Sequence, residues 1–232
     1  MPVQRVNQFL EFVDFGITPS LGIESEKLIA CIAEAKYRKW RGVFGCPLFG
    51  FKESDLNFLS ELPFIEQVWF WDVALKSIDG LYALTNLKYF GIHPQRPGID
   101  FSKFPELEIM VWIHNQKDTQ VNRLKKLKSI NIWHFKPRSK SFADLALPPS
   151  IESLELFWAN PDSLSGITPL PNLRKLEIHR CRNLSNLESL AEIAPSLESL
   201  VVTTSGKVEP SSIPLNIKSL KYVIANGRQL KG

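Results

Sequence analysis

The chain has 232 residues, 44% of them apolar, and its 28 lysines and arginines against 24 acidic residues leave a formal charge of +4. That much apolar material excludes global disorder and suffices for one elongated domain, or a little more, with a continuous core. The positive charge is spread along the chain apart from short clusters at Lys125 to Lys128 and Lys136 to Lys140, so no basic stripe of the kind that gives nucleic-acid binders their affinity is expected.

The first twenty residues include Glu11 and Asp14 and lack a basic start followed by an apolar run, so a secretory leader is not expected. No segment approaches the roughly 18 apolar residues of a membrane span. Phe9, Leu10, Phe12, Val13 and Phe15 suggest an edge strand. Leu28, Ile29, Ile32, Ala33 and Ala35 predict one apolar face of a helix over residues 25–39, and Gly42-Val43-Phe44-Gly45 reads as a degenerate first strand. Residues 1–55 therefore predict an N-terminal cap, which stacked repeats need because an open end exposes core. Cys31, Cys46 and Cys181, odd in number and far apart, suit buried free thiols in a reducing compartment, and the location expected is cytoplasmic. Asn183-Leu184-Ser185 matches the glycosylation triplet but carries no weight without a leader.

From residue 56 to 232 the spacing apolar-x-x-apolar-x-apolar recurs. It reads Ile65-Val68-Phe70, Leu87-Phe90-Ile92, Leu107-Met110-Trp112, Leu127-Ile130-Ile132, Ile151-Leu154-Leu156, Leu173-Leu176-Ile178, Leu197-Leu200-Val202 and Ile217-Leu220-Tyr222. The last members lie 22, 20, 20, 24, 22, 24 and 20 residues apart, a period that marks stacked repeats. Within each copy the alternation predicts a strand buried on one face. Between strands the apolar residues step by three, as in Leu75-Ile78-Leu81-Leu84 and Leu164-Ile167-Leu170, which predicts short 3₁₀ turns.

On these residues the chain resembles the leucine-rich-repeat family, in repeat length the bacterial type of about 22 residues. The resemblance spans about residues 56 to 224. It implies an α/β solenoid of about eight repeats, curved, with one parallel β-sheet on the concave face and short turns or 3₁₀ segments on the convex face. The family's asparagine after the strand stands only at Asn115, with Cys181 as a substitute and Val73, Gln95, Phe135, Ala159, Ser205 and Ala225 elsewhere, so loop hydrogen bonding is expected to be irregular.

Alternation then assigns the residues on the open face of the sheet. One column reads Trp71, His93, Ile113, Trp133, Phe157, His179, Thr203 and Val223, and the column before it Trp69, Gly91, Val111, Asn131, Glu155, Glu177, Val201 and Lys221. A solvated face carries serine, threonine, lysine and glutamate, whereas here tryptophan, phenylalanine, isoleucine and valine stand in the first five copies. The partner-binding residues expected are therefore Trp69, Trp71, His93, Val111, Ile113, Asn131, Trp133, Glu155, Phe157, Glu177 and His179.

His93, His114, His134 and His179 all fall on or after strands, but no cysteine or paired carboxylate joins them, so interface contacts are expected rather than a metal. Thr203-Thr204-Ser205-Gly206-Lys207-Val208 resembles the end of a phosphate loop, yet Val201 replaces its first glycine and Val208 its magnesium-binding hydroxyl. No catalytic residue, cofactor or metal site is expected. The expected function is a non-catalytic module, monomeric alone, that binds a protein on the concave face. Its sharpest version is a cytosolic inhibitor or immunity-type protein masking a toxin or enzyme, as the ribonuclease-inhibitor branch of the family implies. The alternatives are an adaptor in a larger assembly and an aromatic platform for carbohydrate or single-stranded nucleic acid.

Overall fold

Each copy of the repeated spacing becomes one short strand and one turn. The structure, a computed structural model, describes residues 3–13, 16–93 and 95–232, and the chain divides into two compact units, residues 1–120 and 121–232.

In the first unit β1 (Val3–Val6) and β2 (Phe9–Phe12) form a hairpin, and β3 (Ser20–Gly22) pairs antiparallel with β2. Phe15, expected in the same edge strand, lies outside the described residues. From β3 onward β4 (Gly42–Gly45), β5 (Gln67–Phe70), β6 (Tyr89–Ile92) and β7 (Ile109–Ile113) follow in sequence order, each parallel to the last. Between β3 and β4 a 3₁₀ turn at Ser25–Lys27 leads into α1 (Leu28–Arg38). Its buried residues are Cys31, Ile32 and Ala35. Ile29, placed on the apolar face by the sequence, is 85% exposed, and Ala33 is exposed as well. At about 100° per residue the face centred on 31, 32 and 35 leaves 29 and 33 more than about 100° away from its middle, on the solvent side.

In the second unit β8 (Ser129–Trp133), β9 (Ser153–Phe157), β10 (Lys175–His179), β11 (Ser199–Thr203) and β12 (Tyr222–Ala225) run parallel in sequence order, and β13 (Arg228–Lys231) turns back antiparallel on β12. The pairing is thus not all parallel, as the resemblance implied, but ends in antiparallel strands near each terminus. The last turn has a local cause: Asn226 and Gly227 both have positive φ (47° and 85°), the two-residue conformation that twists a strand into a tight hairpin.

The alternating strand residues form the core: Val68 and Phe70, Phe90 and Ile92, Ile130 and Ile132, Leu154 and Leu156, Leu176 and Ile178 are all buried. The turns supply the facing layer, and their step of three has a visible origin. Leu81, Leu84 and Leu87 donate their backbone N–H to the carbonyls of Ile78, Leu81 and Leu84 at 2.9, 3.0 and 3.1 Å, so every third side chain returns to the core.

The last strand corrects the sequence reading. Tyr222, assigned to the core, is 40% exposed, and Val223, assigned to the open face, is fully buried. The repeat is Leu220-Val223-Ala225, one step of three beyond Ile217-Leu220-Tyr222, because Ile217, Leu220 and Val223 are evenly spaced and admit both phases. A one-residue shift in a strand exchanges its two faces. Pairing with β11 places Ile224 beside Val201 on the open side, where the sequence alone assigns Lys221 to the column.

Candidate functional site: an aromatic ladder on the open face

In the second unit the strand register sets Asn131, Glu155, Glu177 and Val201 side by side, and likewise Trp133, Phe157, His179 and Thr203. All are half-buried. The rings of Trp133 and Phe157 lie 4.8 Å apart at 30°, and those of Phe157 and His179 4.7 Å apart at 21°. These separations repeat the spacing of the strands themselves, so Phe157 stacks on His179 and Trp133 lies tilted against Phe157.

A second row stands beside the first. His134, Trp158, Arg180 and Thr204, each just after its strand, have left-handed φ of 59°, 51°, 56° and 52°. None is glycine, and the tryptophan accepts a conformation that is an outlier for a bulky residue. The turn brings the side chain after the strand alongside the last strand side chain. Trp158 consequently lies 5.2 Å from Trp133 and 6.1 Å from Phe157. His134 stacks on Trp158 at 5.1 Å and 13°, and the Arg180 guanidinium carbon sits 5.2 Å from the Trp158 centroid. Sequence reasoning misses Trp158 because alternation does not foresee a left-handed residue. The signal in the sequence is a bulky residue directly following a column position.

Polar groups fix one end of the ladder. His179 bonds Glu177 through Nε2 at 2.8 Å and Thr203 through Nδ1 at 2.7 Å. The Lys175 ammonium lies 2.7 Å from Glu177 and 3.7 Å from Glu155. Burial alone would raise Glu177, but hydrogen bonds from Lys175 and His179 outweigh it and hold its carboxyl below the ordinary value. Glu155 goes the other way: burial first and then the charge of Glu177 push its carboxyl up against the pull of Lys175. Two carboxylates thus share one lysine, which serves Glu177.

In the first unit Trp69, Gly91 and Val111 form one column, and Trp71, His93 and Ile113 continue the strands in the other. Here the aromatic residues close on themselves. Trp71 stacks on the fully buried Phe44 at 6.1 Å and 16°, Phe49 caps both rings at about a right angle, and Phe12 packs on Phe44 at 5.6 Å. Leu10, Phe12 and Phe44 are a small core with Val3, Phe49, Trp69 and Trp71 against it. Gly91 is required: a Cβ there would collide with the Trp69 ring, which lies across it.

Sequence reasoning also misses a buried ion pair in this unit. The side chains of Arg96 and Asp118 are both fully buried, with two N–O contacts of 2.6 and 2.7 Å. Asp118 further accepts from the indole of Trp112 at 2.8 Å and the backbone N–H of Ile99 at 2.9 Å. Asn115, the asparagine after the strand, donates to the Arg96 carbonyl at 3.3 Å and so ties the two loops together. Four hydrogen bonds on one carboxylate are what make such a burial tolerable.

Cys31, Cys46 and Cys181 are free and buried, and burial pushes the Cys181 thiol up to about 11, so it is a protonated thiol at neutral pH. Among the described residues no group of three or more His, Cys, Asp or Glu converges on a metal position. The segment Thr203 to Lys207 leads into only a 3₁₀ turn at Pro210–Ser212, without the helix whose amides a phosphate loop needs. Among the described residues no helix is long and apolar enough to cross a membrane. Compared with protein-family models and with curated proteins, the chain finds no significant match in either.

Proposed function

We propose that the chain is a leucine-rich-repeat solenoid that works in the cytoplasm as a non-catalytic protein-binding module, its concave face being the open face of the strands. The observation that carries this reading is the half-exposed ladder of Trp133, Phe157, Trp158 and His179, with His134 and Arg180 exposed beside it. Burying rigid aromatic groups against a partner gives large contact area at small rotamer cost. The sharpest form is an inhibitor or immunity-type protein that masks a toxin or enzyme.

A carbohydrate or nucleobase platform needs free ring faces. In the ladder Phe157 is covered by Trp133 and His179, and Trp158 by His134 and Arg180, so edges point outward and suit a protein surface better. The Glu155 and Glu177 pair beside the ladder also repels a polyanion.

The test is affinity for the partner recovered from the native cell. Trp133→Ala, Phe157→Ala and Trp158→Ala should each weaken binding by about 2 kcal/mol or more, roughly thirtyfold. If all three bind like the parent, the ladder is not the site.

A further inference from the structure

At the N-terminal ends of the strands in the second unit three cations are matched, Arg174 and Lys221 sharing Glu198 at 2.9 Å each and Lys128 facing Glu152 at 3.8 Å, while Lys125 and Lys218 are exposed there. At the C-terminal end the loops leaving β10 and β11 carry Arg180, Arg182 and Lys207, and Arg228 opens β13, all exposed and none with an ion-pair partner among the described residues. These loops line an open cleft of about 690 Å³ formed by Arg182, Thr203, Thr204, Gly206, Asn226 and Gly227, with no acidic residue among them. Thr203 and Asn226 are already bonded, to His179 and Ser205, whereas the Arg182 guanidinium has no partner among the described residues. Arg180, two residues before it, is held over Trp158 and so ties this edge to the ladder.

We propose that this cleft receives a carboxylate from an acidic segment of the protein partner, with Arg182 as its counter-ion and Arg180 as the second cation, while the ladder takes the adjoining apolar surface. Guanidinium groups match carboxylates in a planar, two-pronged geometry and lose less hydration than lysine on pairing. A phosphate backbone offers the same charge, but running along the strands it would meet Glu155 and Glu177, and the ring faces of Phe157 and Trp158 are already taken by neighbouring side chains. The proposal rests on the protein-binding reading above and specifies what the partner brings to this edge.

The experiment titrates the full chain with a capped oligoglutamate peptide and, separately, with an oligothymidylate of equal charge, at low salt, following backbone amide shifts. The peptide should shift residues 180–182, 203–206 and 226–228, and R180E/R182E should weaken it by roughly tenfold. K125E/K218E makes the same change in net charge at exposed sites elsewhere in the unit and should weaken it less than about twofold. Equal loss in both variants, or tighter binding of the oligothymidylate, overturns the proposal. With the native partner, loss of binding in Trp133→Ala and Phe157→Ala but not in R180E/R182E would leave the ladder standing and remove the cleft. The reverse pattern would remove the ladder and keep the cleft.

Discussion

The two aromatic groups on the open face use the same residue types to opposite ends. In the first unit Phe44 is fully buried among Phe12, Phe49 and Trp71, and the cluster behaves as a second small core. In the second unit no member of the ladder is fully buried, and the strand spacing sets the ring spacing. An exposed row of large apolar residues is therefore not one signal but two, separated by whether the rings bury one another or merely line up.

The largest effect should come from the first unit. Asp118→Ala leaves Arg96 buried without its counter-charge and should cost about 3 to 5 kcal/mol in chemical denaturation. A cost below about 1 kcal/mol would mean that water reaches the guanidinium. Phe44→Ala removes a buried ring and should cost about 3 to 5 kcal/mol as well, with Trp71 fluorescence shifting red as its stacking partner goes. In the second unit Phe157→Ala should cost less than about 2 kcal/mol of stability, because the ring is only half-buried, while Leu156→Ala one residue earlier should cost about 2 to 5 kcal/mol. If Phe157→Ala is the more damaging of the two, the ladder is a core and the contrast collapses.

The smallest effect is on pH, and its sign differs between the units. His93 and His114 are held below the ordinary histidine value of 6.5 by burial, against the opposing pull of Asp72 and Asp118. Their neutral forms favour folding, so this stability is present above pH 6.5 and is lost as pH falls from there toward the folded values. Glu155 is raised above 4.5, so its protonated form favours folding and its contribution returns as pH falls through the folded value. Hydrogen exchange between pH 7 and 5 should show protection falling at β6 and β7 and holding or rising at β9. Glu155→Gln should remove the rise.

Much of this was legible because the repeat imposes two independent periods. Steps of two placed Leu154 and Leu156 inside and Glu155 and Phe157 outside, and steps of three placed Ile78, Leu81 and Leu84 in the facing layer. Where both periods allowed two phases, at Ile217-Leu220-Val223, the reading slipped by one strand position, and only pairing with β11 selected the phase.

The amino-acid sequence by itself determined the repeated strand segments from β5 to β11 and which of their residues face outward, since these follow from local alternation and a fixed repeat length. Tertiary structure decided what those columns do. Residues distant in sequence, Phe12, Phe44 and Phe49, close over Trp71, and a charge pair spanning 96 to 118 is assembled from two loops. The left-handed turn that sets Trp158 beside Phe157 is a backbone state that strand alternation does not encode. Such features depend on which surfaces meet after the chain has stacked, and that is a property of packing rather than of period.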